Sequence, residues 1–510
     1  MNHSKHEHRK ALPSERLTPS TASSPTVRPR FLSDVDCHAL LQRLERVTEG
    51  GGTTGVMIWS TWSGNVRWAR NLIDTSGEVR NDYIRVSRNL NGAQSAWMLI
   101  NDLSDAALVA AARRAERLVR LRSENPQGAL YSHFVEESAT PTAPLFFDAT
   151  YAVDAAQRAA TAQQLAQTAT TAGMLSAGYI EVAAHSMAVL DTAGHTRYVN
   201  YTTAQYSVTV RDPTGTGSGW AGVDWPDWTR IDGARLTAIA LDKCLKSCNP
   251  VAVEPGRYTT ILEPQAVCDF VSPMVGGDAL GRALWIYQIS SDGPTEGPFG
   301  SQPPSYKALL GRQVIDPRLT ISADLMDPDL AFPNFNPAKA YDFEDGFILD
   351  YEVYHPVTWI EHGVLKTLAY RHEFAVDNFG TNTGLPNSGA FRMSVTGPTA
   401  SVEEMIATTK RGLLVTRFSE VIPLEYRSQL QRGYTRDGLW LIENGTISKP
   451  VKNMAFTESI LFALNNIEQL GVSQRVFHPK PDGIYDIPQP VIVPPMKIKD
   501  FSFTSLADAV

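Results

Sequence analysis

The sequence predicts an α+β fold, on three observations. Helical periodicity is confined to a handful of segments, most of them in the first half of the 510 residues. Strand-like stretches come in series, joined by tight-turn residues. The second half is strand-dominated and carries two similar hairpins. Order is expected from Phe31. Ser33 and Asp36 make a capping box, and Leu40, Leu41, Leu44 and Val47 follow at helical spacing until Gly50-Gly51-Gly52. Val56 to Trp62 and Tyr83 to Leu90 read as strands. Asn91-Gly92 signals a hairpin, with Ala96 to Ile100 returning. A second helix runs from Ser104 to about Arg122, with Leu108, Ala112, Ala115 and Val119 on one face.

A Pro-containing connection over 124–144 divides this region into two subdomains. An Ala/Gln-rich helix follows from Val153 to Thr171, with Gly173 at its end. Strands are expected at Tyr179 to Leu190, Thr196 to Tyr201 and Gln205 to Arg211, and a helix from Ala234 to Lys246. The major boundary falls near Asn249 to Pro255, so the expected organisation is a disordered tail over 1–30, a first domain over 31–250 and a second over 251–510. In the second, Arg257 to Leu262 opens a strand block. Trp359 to Leu365 and Trp440 to Ile447 are hairpins turning at His362-Gly363 and Asn444-Gly445. Val402 to Thr409 and Glu458 to Leu470 read as helices.

Composition narrows the function. Hydrophobic residues are 43% and charged residues 20%, an ordinary soluble balance. The net charge of -8 argues against general nucleic-acid binding. No apolar run approaches the roughly 18 residues of a membrane helix, and the polar start lacks the apolar core of a secretory signal. Four cysteines in a chain this long make no disulfide framework, so a reducing cytoplasm is the expected compartment.

Three segments carry more than local structure. The first is Val208-Thr209-Val210-Arg211-Asp212 leading into Gly215-Thr216-Gly217-Ser218-Gly219-Trp220-Ala221-Gly222. The second is Ala407 to Phe418, including Arg411-Gly412-Leu413-Leu414-Val415-Thr416-Arg417. The third begins at Arg436-Asp437-Gly438, passes Lys449-Pro450-Val451-Lys452-Asn453 and Glu458-Ser459, and reaches Gly471. In order and spacing these resemble the TldD/PmbA metallopeptidase family, and the likeness spans roughly Asp34 to Ile498.

The resemblance implies an N-terminal α/β region and a C-terminal β-rich domain of mixed or antiparallel sheet. It implies a heterodimer of two related chains, one of which carries zinc on a His-Glu-x-x-x-His helix plus a later Cys. There the zinc-bound water hydrolyses unstructured peptides or modified-peptide precursors, with the Glu as general base. Neither His-Glu-x-x-x-His nor His-Glu-x-x-His occurs in this sequence. In register with the expected zinc helix, after the strand ending at Leu262, stands Cys268-Asp269-Phe270-Val271-Ser272-Pro273. Cys268 replaces the first His, and Pro273, which has no ligating group and opposes helix continuation, replaces the second. No Cys follows Cys268. The chain is therefore similar to the family's TldE/PmbA-like members. No catalytic residue, metal ligand or cofactor is expected in it, and zinc is expected in a TldD-like partner subunit.

Other candidates have plainer readings. His6-Glu7 lies in the tail. His372-Glu373 is followed by Asp377 where a second His would stand, and a surface or hydrogen-bonded His is the simpler reading. Cys244 and Cys248 suit helix packing better than a metal or redox pair. Gly217, Ser218, Gly219 and Trp220 sit in a tight structural loop that is also a candidate contact for peptide or partner; the GxxxxGK phosphate pattern is missing. Arg113, Arg114, Arg117, Arg120 and Arg122 read as a solvated helix face. Hairpin edges near Asn444-Gly445 and His362-Gly363 suit strand addition by an extended peptide. Two further functions compete with the subunit reading. One is an autonomous enzyme using Cys268, Asp269, His355 or His372. The other is a homo-oligomeric peptide-binding protein.

Overall fold

The computed structural model describes residues 31–48, 51–90, 95–123, 140–275, 309–337, 341–343, 346–348, 352–367, 388–425, 428–481, 483 and 486–507. The N-terminal tail, the Asn91-Gly92 turn, most of the 124–144 connection and the His372 to Asp377 stretch lie outside them.

Helix α1 (Asp34–Val47) starts as its sequence dictates. The Ser33 hydroxyl accepts from the Asp36 N–H at 3.2 Å and the Asp36 carboxylate accepts from the Ser33 N–H at 2.9 Å. Strands β1 (Thr53–Ala69) and β2 (Leu72–Asn89) are far longer than their hydrophobic runs suggest. Arg70 and Asn71 both take positive φ, at 48° and 66°, and make a two-residue hairpin turn between them. The first ten residues of β2 are exposed on both faces, so no alternation marks them as strand.

β3 (Ser95–Ile100), α2 (Asp105–Ser123), the single turn α3 (Asp148–Tyr151) and α4 (Ala155–Thr171) follow. Asp154 caps α4 by accepting from Gln157 N–H at 2.8 Å. β4 (Leu175–Asp191), β5 (Thr196–Arg211), β6 (Ser218–Trp225) and α5 (Gly233–Lys246) complete the first half. The two strands expected over Thr196 to Arg211 are one, because Thr202, Thr203 and Ala204 stay in register opposite Ala184, Ala183 and Val182. The loop expected over Gly215 to Gly222 is a turn followed by β6, paired with β5 from Ser218↔Arg211 to Trp225↔Ala204.

These strands form one antiparallel sheet in the order β3-β2-β1-β4-β5-β6. Its even-numbered face, including Ile58, Trp62, Val66, Trp68, Ile180 and Tyr206, is buried under the four long helices. At one end its odd-numbered face, including Trp59, Met187 and Tyr201, packs on Leu325, Phe332, Phe335 and Ile492 from the second half.

After α5 the chain enters the second half through β7 (Gly256–Leu262) and α6 (Pro264–Val275). β7 pairs in parallel with Arg411–Glu425 and antiparallel with Met496–Leu506. The latter pairs with Met454–Ser459, which pairs with Leu430–Glu443, which pairs back to Arg411–Glu425. Five strands thus close a ring with no free edge among them. A further six-stranded sheet includes the Val357–Glu361 and Val364–Leu365 hairpin, whose turn residues His362 and Gly363 have positive φ of 46° and 77°. The other expected hairpin turns at Asn444 and Gly445, with φ of 49° and 81°.

The stretch Glu458 to Leu470 holds only the helix Ile460–Asn465, capped by Ser459; Ile467–Leu470 instead pairs with Met496–Leu506. Pro273 does not end α6: the helix continues through it to Val275. Its apolar face, with Val267, Phe270, Val271 and Met274, is so deeply packed that burial offsets the lost hydrogen bond. Phe270 meets Phe418, Phe456 and Phe501 at ring distances of 6.3, 5.8 and 5.4 Å. Among the described residues no helix is long and apolar enough to cross a membrane.

Candidate functional site

The two halves meet at a β-bulge. In the pairing of Arg411–Glu425 with Leu430–Glu443, Val415 lies opposite Leu439 but Arg417 lies opposite Arg436. One strand therefore has an extra residue there, and the local twist re-aims a side chain. Asp437 takes φ 56° and Gly438 φ 136°. A Cβ at Gly438 would stand 2.2 Å from the Trp440 indole, so the position requires glycine. The bulge turns Asp437 away from its own sheet and into the junction. Its carboxylate is 3% exposed and accepts a hydrogen bond from Ser218 Oγ of β6 at 2.5 Å. Arg417 Nη1 and Arg436 Nε lie 3.7 and 3.8 Å from Asp437 Oδ2.

Arg417 is the centre of the arrangement. Its guanidinium sits 4.3 Å from the centre of the Trp220 ring, a cation–π distance. Trp220 in turn meets Phe477 edge-on at 5.5 Å. Arg417 Nε is buried without a hydrogen-bond partner among the described residues. On its other side is α6. Asp269 Oδ2 accepts from Phe418 N–H at 2.9 Å and Oδ1 accepts from Gln265 Nε2 at 2.9 Å. Burial raises the Asp269 pKa by more than Arg417 and these hydrogen bonds lower it, so this carboxyl holds its proton more tightly than a solvated aspartate. Gln265 also holds Phe477 through paired backbone bonds of 3.1 and 3.0 Å. Beside them, Arg475 stacks on Trp225 at 4.4 Å and pairs with Asp224 at 2.8 Å.

The two segments singled out from the sequence therefore come together, Asp269 on one side and Ser218 with Trp220 on the other, joined through Arg417 and Asp437. Both joining residues lie in segments quoted for the family resemblance, Arg417 in the second and Asp437 in the third, but the sequence assigned neither a site role. The available signal was Asp-Gly in the middle of a strand, which marks a bulge as readily as a turn. The contact residues Gly217, Ser218, Gly219 and Trp220 are all buried within the chain, and the exposed part of the turn is 213–216. Gly219 is a packing position: a Cβ there would lie 2.1 Å from the Ala240 carbonyl of α5.

The donor set on α6 does not fit zinc. Cys268 is 1% exposed, its pKa is pushed well up by burial and then by Asp269, and its Sγ lies 3.3 Å from Ser272 Oγ. Both Asp269 oxygens accept hydrogen bonds, and Pro273 has no donor atom. Among the described residues no three His, Cys, Asp or Glu side chains cluster as a metal would require. His355 Nδ1 faces Thr140 Oγ1 at 2.9 Å, away from this junction, and His372 lies outside the described residues. Cys244 packs in the core between α5 and the sheet, and Cys248 Sγ donates to the Cys244 carbonyl at 3.3 Å. Arg113, Arg114 and Arg117 are exposed, and Arg120 pairs with Glu116 at 2.6 Å, as on a solvated helix face.

The thiols make a direct test. Burial raises Cys37 and Cys244 to about 12, and raises Cys268 and Cys248 as well. A thiol at about 12 is ionised to roughly one part in ten thousand at pH 8. Titration of the native chain with a disulfide reagent at pH 8 is expected to release at most one thiol quickly, that of half-buried Cys248. Rapid reaction of Cys268 would restore it as a candidate nucleophile.

Residues 255–505 match the sequence model of a family described as PmbA/TldA metallopeptidase C-terminal domain. No curated protein sequence matches the chain. Among solved structures, TldE from Thermococcus kodakarensis superposes with a TM-score of 0.69 at 13% identity, over 92% of this chain and 99% of that one. A protein described as a candidate modulator of DNA gyrase from Thermotoga maritima gives 0.67 at 13%, over 92% and 100%. Another so described, from Bacteroides thetaiotaomicron, gives 0.67 at 15%, over 93% and 100%. At these identities the superpositions establish a shared fold.

Proposed function

This chain belongs to the TldD/PmbA metallopeptidase family, and from that membership we propose that it is the non-catalytic subunit of a heteromeric zinc peptidase. In this reading it binds a zinc-bearing TldD-like partner in a reducing cytoplasm and helps shape the channel for an unstructured peptide or modified-peptide precursor. The observation that carries the reading is the donor chemistry of α6: this helix, which the resemblance sets against the family's zinc helix, holds a buried thiol, a carboxyl with a hydrogen bond on each oxygen and a proline. Two features support the rest. All four cysteines are free thiols, as a reducing compartment allows. Thr446–Pro450 ends its sheet in the strand order; Val251 bridges its Pro450 end, and the remainder offers an edge for an extended segment.

The test is zinc content and peptide cleavage of the chain purified alone and mixed with a zinc-bearing relative. Alone, the chain is expected to carry no stoichiometric zinc and to cleave at background. Mixed, it should co-elute with its partner and the pair should cleave. Chelator-sensitive cleavage by the lone chain would overturn the reading.

A further inference from the structure

The odd-numbered face of the first sheet contains a depression beside the junction. In register across three strands, Thr61 and Ser63 of β1 lie opposite His185 and Ala183 of β4. Ala183 and His185 lie opposite Thr203 and Tyr201 of β5. The floor is thus built from small and hydroxyl side chains, while the same face rises to Trp59, Tyr83 and Tyr201 at one end. The result is a cavity of ≈ 320 Å³, at the lower end of the roughly 300–1,000 Å³ of small-molecule sites.

The floor is polar and fixed. His185 is 5% exposed, its ring stacks on Tyr201 at 4.6 Å, and its Nδ1 and Nε2 lie 3.0 Å from Thr61 Oγ1 and Thr203 Oγ1. Burial, followed by the nearby Lys480 charge, holds its pKa well below the usual histidine range, so the ring is neutral at pH 7. A neutral imidazole donates through one nitrogen and accepts through the other. One threonine therefore accepts from the ring and keeps its own hydroxyl proton for another acceptor.

Opposite charges line the space. Glu181 closes the other end, oriented by the Tyr179 hydroxyl at 2.7 Å and Gln205 Nε2 at 3.2 Å. Lys480 lines it from the second half, anchored by the carbonyls of Pro481 and Gly483 at 3.0 and 3.3 Å. Asp224, also in the lining, is neutralised by Arg475. A ligand that fits carries both a cation and an anion within a small apolar body.

We propose that this cavity binds a free dipeptide, its ammonium against Glu181, its carboxylate against Lys480 and an apolar side chain against Trp59, Tyr83 and Tyr201. The proposal does not depend on the subunit reading.

Calorimetric titration of the full chain with Ala-Phe, N-acetyl-Ala-Phe and Ala-Phe-amide tests it. Ala-Phe should bind, and blocking either terminus should weaken binding by about tenfold or more, the worth of one charged hydrogen bond. Glu181→Gln should weaken Ala-Phe similarly and make acetylation nearly silent. Lys480→Met should do the same for amidation. Ser63→Phe, which fills the floor, should abolish binding while the chain keeps its melting temperature and still assembles with a zinc-bearing partner. Absence of Ala-Phe binding to the unmodified chain, or equal binding of all three ligands, would overturn the proposal and leave the subunit reading untouched.

Discussion

Replacing Asp437 by alanine is expected to destabilise the chain by about 3 kcal/mol, the low end for breaking a buried ion pair. The carboxylate is 3% exposed, while Arg417 keeps 24% of its side chain accessible, so part of the lost pairing is recovered by water. Three groups lose by the change. Ser218 loses the acceptor of its hydroxyl across the two halves. Arg417, whose Nε already has no partner among the described residues, loses its nearest counter-charge. Arg436 loses a neighbour at 3.8 Å. Asp437→Asn keeps an acceptor for Ser218 and removes only the charge, so it should cost less than Asp437→Ala. Urea denaturation of the three proteins measures both differences. A loss under about 1 kcal/mol for Asp437→Ala, the value of an exposed pair, would mean that the junction is held by packing alone.

Phe501→Ala is expected to cost about 3–5 kcal/mol, the range for emptying a buried aromatic site. Phe501 is fully buried, and four rings surround it: Phe270, Phe418, Phe456 and Phe503, at 5.4, 5.9, 5.5 and 5.4 Å. They come from α6 and from strands on different sides of the closed ring, so no single element can shift to fill the space. Phe501→Leu, which restores much of the volume, should recover most of the loss. The check is the urea midpoint at unchanged slope. A cost near 1 kcal/mol would show that the ring collapses around the vacancy.

What was legible in the sequence was local. The capping box at Ser33 and Asp36, the buried face of α2 and the Asn444-Gly445 turn each rest on residues within a few positions of one another. The first ten residues of β2 were hidden because both faces are wet, and β6 because its glycines resemble a loop while serving to let α5 approach. Asp269 was found through its place in the chain. Arg417 and Asp437 gain their roles only once a bulge and a cation–π contact bring three elements together. The depression under Lys480 was invisible for the same reason: Ser63, Ala183 and Thr203 are ordinary small residues until the strands align them.

Helix α6 divides its labour by face. Val267, Phe270, Val271 and Met274 are committed to the core, whereas Gln265 and Asp269 face the junction. The first set supplies burial, and the second supplies hydrogen bonds that tie α6 to Phe418 and Phe477. Substitutions on the junction face of α6 are therefore expected to change the meeting of the two halves at less cost to folding than substitutions on its core face.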